Sequence, residues 1–413
     1  MSQGYCGGAG QGPDFDSALK NFLPVSAPPV SDGEFDARLS LLQSRMRAAG
    51  IGATWLDASS SLHYFCGHAL GLSERIHGAL VPAKGEVVHV SPCFEEPKLR
   101  RLLRRPGQIA TWEEDEDPFA LIAGLTRKLA GVTGLLALDP ATPYAFAAPL
   151  STALAGRVTS AKQLIAGIRQ IKSAAEIAII QTAMTASWQV QRAVHEGIRL
   201  GMPTAEVCQF INAAHKALGM KPLFAAVQFG QATAYPHGVP YEQYLQEGDM
   251  VLVDMGAVLH GYCSDITRTW VYGSASQRQS DIWTAERDAH AAAFKAAQLG
   301  HACEEVDAAA RRSLEAGGFG PGYEVPGLPH RTGHGLGLDI HEEPYIVRGN
   351  RTVLAPGMCF SIEPMLCLYG ECGVRLEDIV FMTESGPQFF CPPSVSLVEP
   401  FGKSAAFDGA DAM

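Results

Sequence analysis

No apolar run in the 413-residue chain approaches the roughly 20 residues of a membrane-spanning helix. The opening stretch, MSQGYCGGAGQGPDFDSALK, has neither a basic n-region nor an apolar h-region. No secretory signal is expected there, and the expected location is the cytoplasm. The chain has no CxxC pair among its ten cysteines. Scattered thiols of this kind suit a reducing compartment, where they pack as small hydrophobes. Cys367 and Cys372 are close enough in sequence to suggest a metal pair, but packing is the expectation for them too. Positive charge is also scarce: 32 Lys and Arg stand against 43 Asp and Glu, a net charge of −11. That balance excludes nucleic acid and anionic membranes as natural partners. The densest basic spot, RRLLRR at 100–105, reads as the solvated face of a short helix.

Hydrophobic residues make up 47% and charged residues 18%, which is a globular balance. The length favours two domains over one core. Residues 1–33 are rich in Gly, Pro and Ser and read as a loose N-terminal arm. From 34 to 165 helical and strand patterns alternate, an α/β domain. FDARLSLLQSRMRAAG and PFALIAGLTRKLAG are helices with glycine stops, GALVPAKGEVVHVSP is a strand pair, and GLLALD is a strand. His63, His68 and His77 in this domain form no chemical pattern.

From 170 to 402 an order repeats, which makes an α+β domain. Two helices, AEIAIIQTAMTASWQVQRAVHEGIRLG and AEVCQFINAAHKALG, precede the β-rich DMVLVDMGAVLHGYCSDITRTWVYG. Two more helices, WTAERDAHAAAFKAAQLG and CEEVDAAARRSLEAGG, precede GMCFSIEPMLCLYGECGVRLEDIVFMTESG. Helix, helix and hairpin, twice, imply a duplicated unit whose hairpins share one sheet.

Each hairpin carries two acids among apolar neighbours. Residues facing each other across an antiparallel pair have a constant index sum. Asp254 and Asp265 are then cross-strand neighbours about a midpoint at 259–260, roughly 5 Å apart at Cβ. Glu363 and Glu377 pair in the same way about Gly370. Four buried carboxylates repel one another and protonate unless a cation holds them, and two divalent ions suit four acids better than one. Just before the second hairpin, HRTGHGLGLDIHEEP brings His330, His334 and His341. Gly333, Gly335 and Gly337 are expected to let its backbone turn sharply. His195, His215 and His290 lie in helices and read as packed residues.

Asp254, Asp265, His334, Glu363 and Glu377, in this order, resemble the five-ligand set of the pita-bread metallopeptidases. That family includes methionine aminopeptidase, aminopeptidase P and the Xaa-Pro dipeptidases, or prolidases. The matching pieces are VDMGAVLHGYCSDITRT, GHGLGLDIHEEP, PGMCFSIEP and GVRLEDIV, with IKSAAEIAII ahead of them. The 34–165 domain resembles the creatinase-type N-terminal domain more weakly.

The resemblance implies that Asp254, Asp265 and Glu377 hold one metal. Asp265, His334, Glu363 and Glu377 hold the other. The oxygen-rich set suits Mn²⁺ or Co²⁺, with Zn²⁺ or Fe²⁺ also open. It further implies Glu363 as proton shuttle and His341 as donor to the scissile carbonyl. His237 in AYPHGVPY would contact substrate, His330 would line the pocket, and Arg375 would pair with a ligand carboxylate. An Xaa-Pro dipeptide is the expected substrate, with Arg348 or Arg351 as reader of its carboxylate, and a homodimer is the expected assembly. Three alternatives stay open: an aminopeptidase P-type cut of longer Xaa-Pro peptides, an ectoine-hydrolase-like amidohydrolase, and a pita-bread binding module. One departure stands out. Where many relatives have a tyrosine, before the His237 position, this chain has Phe224 and Ala225.

Overall fold

A computed structural model describes residues 8–105, 107–131 and 134–402. The chain divides into two compact units. One runs Val30–Arg169; the other joins the segment ending at Pro29 to the chain from Gln170 onward.

The Val30–Arg169 unit is α/β, as its alternating pattern suggests. Ser31 caps the helix Asp32–Ala48 by accepting from Glu34 N–H. The strands are β1 (Ala53–Asp57), β2 (Gly78–Pro82), β3 (Val88–Pro92), β4 (Gln108–Trp112), β5 (Leu136–Leu138) and β6 (Val158–Ser160). They form one sheet in the order β4-β3-β2-β1-β5-β6. β2 pairs antiparallel with both β1 and β3, β4 runs parallel to β3, and β5 and β6 run parallel to β1. Fully buried Trp55, Leu80, Val90, Ile122 and Leu136 fill one core of this unit. The basic run divides: Arg100 pairs with Glu96 on the helix Glu96–Leu102, whereas Arg104 and Arg105 pair with Asp32 and Asp36.

In the second unit the doubling is visible. The helix Ala174–Gly197 starts in a capping box of Ser173 and Glu176, and the helix Thr204–Ala217 follows. Next come β7 (Lys221–Phe229), β8 (Met250–Leu259), β9 (Tyr262–Cys263) and β10 (Ile266–Val271). The helices Gln277–Ala296 and Cys303–Ala316 open the second half. Its strands are β11 (Gly333–Gly335), β12 (Glu342–Ile346), β13 (Cys359–Ile362), β14 (Met365–Leu368), β15 (Cys372–Arg375), β16 (Asp378–Thr383) and β17 (Gly386–Phe389).

The two hairpins do not share one continuous sheet. The first half gives β10-β8-β7 with β9 on β8; the second gives β12-β11-β13-β16-β17 and a separate β14-β15 ribbon. The halves meet along a seam: Thr267 bridges Glu377, Ile171 bridges Met358, and Cys263 N–H donates to Gly337 O at 2.8 Å. Each half also adds a strand outside its hairpin, β7 against β8 and β11 against β13.

The N-terminal arm is not loose where it is described. Phe15, in a short helix, stacks on Phe210 with ring centroids 4.1 Å apart. Gly10 N–H donates to His195 O, and Arg199 donates to Gly12 O. The Gly and Pro content therefore serves close packing onto the helices Ala174–Gly197 and Thr204–Ala217. Nine cysteines are free thiols; Cys6 lies outside the described residues. Cys367 and Cys372 are buried and face Gly373 and Leu368 rather than each other. Burial pushes their thiols up to about 12 and about 11, which suits packing and not ligation. Among the described residues no helix is long and apolar enough to cross a membrane.

Candidate metal centre

The first hairpin turns at His260 and Gly261, whose φ angles are 49° and 91°. This two-residue turn sets Asp254 opposite Thr267, so Asp265 lies diagonal to Asp254 and not directly across. The shift from the expected pairing is by two residues, which keeps both acids on one face. The second hairpin has the expected register: Ile362 faces Asp378 and Met365 faces Arg375, which sets Glu363 against Glu377.

His334, on β11, stands at the middle. Its Nδ1 lies 3.1 Å from Gly335 O, so this nitrogen is the donor. Its Nε2 faces carboxylates: Glu363 Oε1 at 3.0 Å, Asp265 Oδ2 at 3.6 Å and Glu377 Oε1 at 3.9 Å. One ligand atom each from Asp265, His334 and Glu377 lies within 4.8 Å of the others.

Asp254 closes the other side. Arg375 donates to its Oδ2 at 2.6 Å, while Oδ1 is buried with no partner. Glu377 is similar: Oε2 accepts from Thr267 Oγ1 at 2.6 Å, and Oε1 is buried and orphaned. Burial, reinforced by Glu377, Asp254 and Glu363, pushes Asp265 well above the usual carboxylate range. Burial and the neighbouring acids do the same to Glu377. In Asp254 burial raises the carboxyl against the pull of Arg375. Burial also works against Glu363, but His334, His330 and Arg375 hold it down at about 2. Orphaned buried oxygens on mutually repelling carboxylates, gathered around one imidazole nitrogen, fit divalent cations.

The glycines around His334 act differently from the sharp turn expected of them. None of Gly333, Gly335 and Gly337 has a positive φ. A Cβ on Gly333 would lie 1.9 Å from Ser361 O, and one on Gly335 would meet Glu343 backbone at 2.5 Å. Absent side chains here let β11 press against its neighbours.

The His341 ring lies 4.1 Å from that of His334, centroid to centroid, and remains open to solvent. Partial burial, then His334 and Arg331, lower its imidazole to about 4. His237 is exposed on the loop after the 3-10 turn Gly230–Ala234, close enough for its charge to act on His341. Arg375 holds that loop through Pro236 O at 3.2 Å, tying it to Asp254. His330 is half-buried, with Nδ1 2.7 Å from Arg331 O. Arg348 and Arg351 are not brought into this group. Arg351 is 88% exposed beside Glu304, and Arg348 is exposed over the Tyr323 ring.

Several residues around the centre escaped the sequence reading. Thr267 bonds Glu377 and accepts from Arg375 Nε at 3.3 Å. Its spacing of two from Asp265 in an apolar strand was the available signal. Ser361 Oγ accepts from His334 N–H and donates to Glu363. Asp307, buried on the helix Cys303–Ala316, holds Thr332 by its hydroxyl at 2.7 Å. His290, read as simply packed, lies 3.3 Å from Asp378 beside Glu377. Phe224 faces Gly256, where an added Cβ would lie 2.6 Å from its ring; Ala226 faces Asp254. No tyrosine hydroxyl stands at either position.

Residues 178–384 match the family described as metallopeptidase family M24. The chain belongs to that family. Residues 38–171 of this M24 peptidase match the creatinase/prolidase N-terminal domain. The fold is thus the creatinase-type α/β domain with a pita-bread domain, and the family implies divalent metal ions at the carboxylate cluster. A Mycobacterium tuberculosis protein described as "Probable dipeptidase PepE" is 35% identical over 353 residues, 84% of this chain and 92% of the relative. An Xaa-Pro dipeptidase from Lactobacillus helveticus is 30% identical, covering 85% of this chain and 96% of the relative. The crystal structure of dipeptidase PepE from Mycobacterium ulcerans superposes with a TM-score of 0.84 at 32% identity, over 90% of this chain and 99% of that one.

Proposed function

We propose that the protein is a metal-dependent dipeptidase of the Xaa-Pro type. The observation that carries this is the convergence of Asp254, Asp265, His334, Glu363 and Glu377, with orphaned oxygens on Asp254 and Glu377. Two ions would be held, one by Asp254, Asp265 and Glu377, the other by Asp265, His334, Glu363 and Glu377. The oxygen-rich set favours Mn²⁺. The ions, when bound, supply Lewis acidity and a hydroxide near neutral pH.

The chain's own residues do the rest. Glu363 is a carboxylate at neutral pH, able to take a water proton and hand it to the leaving nitrogen. His341, depressed to about 4, is a neutral imidazole at pH 7 with one N–H for the carbonyl oxygen. His237 lies on the loop that Arg375 anchors and His330 is half-buried three residues before Gly333; both would line the substrate pocket. Arg375 and Thr267 fix the orientations of Asp254 and Glu377. Nine free thiols suit the cytoplasm, and the resemblance favours a homodimer.

The test is a panel with added Mn²⁺ and, separately, after chelation, read by mass spectrometry. It holds an Xaa-Pro dipeptide, an Xaa-Pro-Yaa tripeptide, a non-proline dipeptide and ectoine. Metal-dependent cutting of the Xaa-Pro dipeptide alone is the expected result. Cutting of the tripeptide moves the assignment to aminopeptidase P chemistry and ectoine turnover to solute degradation; metal uptake without hydrolysis keeps the centre and overturns the substrate, and a chain that takes up no metal is a binding module.

A further inference from the structure

His341 is aimed without being held. Its ring lies 4.1 Å from that of His334, centroid to centroid, yet no hydrogen bond among the described residues fixes it. It ends an irregular stretch, 336–341, between β11 and β12. An imidazole on such a stretch takes its direction from the backbone, so the backbone must be fastened from elsewhere.

The fastening is a buried ion pair. Lys172 Nζ lies 2.7 Å from Oε1 of Glu342, the residue after His341, and the two side chains are 1% and 9% exposed. Lysine is rarely buried this fully unless an acid meets it. The other oxygen of Glu342 lies 3.5 Å from Asp339 N, which closes the stretch on itself. Gly337 makes the room: a Cβ there would stand 2.7 Å from Glu342 Oε1 and 2.9 Å from Lys172 Cε. The backbone of Lys172 is fixed in turn. Its N–H donates to Gly357 O at 2.7 Å, Ile171 before it bridges Met358, and Ser173 after it caps the helix Ala174–Gly197. The ammonium therefore reaches the His341 stretch from a rigid origin. Removing one member of a buried pair disturbs its surroundings far more than removing an exposed one, because the remaining charge stays desolvated.

We propose that Lys172 is a positioning residue: through Glu342 it sets the direction of the His341 imidazole toward the metal centre. The proposal rests on the reading of His341 as donor to the scissile carbonyl. Lys172 binds no metal and carries no proton in the reaction.

The experiment is a double-mutant cycle on the Mn²⁺-loaded enzyme with K172M, K172R, H341A and K172M/H341A. It reads kcat and KM on the panel compound that the wild type cleaves best, with metal content and melting curves for each variant. K172M is expected to lower kcat about 10- to 100-fold at wild-type metal content, the size of effect that a slightly misplaced catalytic group produces. K172R should recover part of the loss. K172M/H341A should match H341A, because a device that acts through the imidazole has nothing to act on once the imidazole is gone. Losses that multiply in the double variant overturn the proposal, as does wild-type kcat in K172M. If K172M does not fold, E342Q and K172R, which keep the shape or the charge, take its place in the cycle under the same criteria.

If the wild type cleaves no panel compound, the dipeptidase reading fails by itself. The His341 ring is then followed directly by NMR of ¹³C-labelled histidine, its signal assigned by its loss in H341A. A shift or broadening of that signal in K172M, with those of His195 and His215 in place, upholds the positioning role. An unmoved signal refutes it.

Discussion

Arg375 and Asp254 are joined by a 2.6 Å hydrogen bond that uses one carboxylate oxygen and leaves the other buried and bare. The same guanidinium reaches Thr267 Oγ1 and Pro236 O, so one side chain spans the first hairpin, the second hairpin and the His237 loop. Replacing it with Met removes all three contacts. R375M is expected to lower metal affinity by about 10- to 100-fold. A fluorescence-monitored Mn²⁺ titration checks this, and wild-type affinity in R375M would sink it.

Glu363 and His341 should separate chemistry from metal binding. E363Q keeps an oxygen ligand but cannot carry a proton, so kcat is expected to drop by about 10²- to 10⁴-fold. H341A removes one donor to the carbonyl oxygen, with an expected loss of about 10²- to 10³-fold in kcat. Metal content, read by atomic absorption, should stay near wild type in H341A. A depleted H341A protein would mean that His341 supports the centre itself.

Protonation links metal and pH. In the metal-free chain Asp265 and Glu377 are raised well above the ordinary range, by burial first and by their neighbours second. A raised carboxylate stabilises the folded chain fully below its unfolded pKa, and this contribution is lost as pH rises through the folded value. Metal-free protein is therefore expected to melt at a lower temperature at pH 7.5 than at pH 5.5, with Mn²⁺ reversing the order. Metal uptake should also release protons. Calorimetry in buffers of differing ionisation enthalpy measures the release, and a proton count of zero contradicts the charge state described for the cluster.

Gly333 tests the packing of the histidine strand. Its Cβ position lies 1.9 Å from Ser361 O, a backbone atom that cannot step aside alone. G333A should therefore shift β11 and move His334 away from Glu363. Expected are a loss of stability of about 1–3 kcal/mol and of most metal binding. Denaturant melts and metal titration on one sample measure both. A G333A protein that binds Mn²⁺ normally would show that β11 tolerates displacement.

Much of the site was legible because acids in apolar strands are rare and their spacing is constrained. Glu363 and Glu377 about Gly370 are the clear instance: a glycine at φ 81° fixes the turn, and the register follows. The first hairpin was less legible. Its turn lies at His260–Gly261, which a pairing of Asp254 with Asp265 does not allow, and only the even size of the shift kept both acids on one face. Strands β7 and β11 escaped because a hairpin pattern says nothing of what lies on its outer edge. Ser361 and Asp307 are single polar residues with no periodic signature, and Thr267 offered only its spacing of two from Asp265. Their roles exist only once hairpin and helix are brought together.

The seam at which Thr267 meets Glu377 brings together ligands from two distant stretches of chain, and this bears on how the protein is made. Each half supplies only part of the ligand set, so neither can hold the metals alone. A growing chain that has presented Asp254 and Asp265 must still deliver two helices, the histidine strand and the second hairpin before Glu377 arrives. Loading then closes a long chain loop at the end of assembly, and the ions would act as a clasp between the two helix-helix-hairpin halves. Starvation for metal would leave a knot of like charges at the seam between those halves, held against its own repulsion by the packing around it.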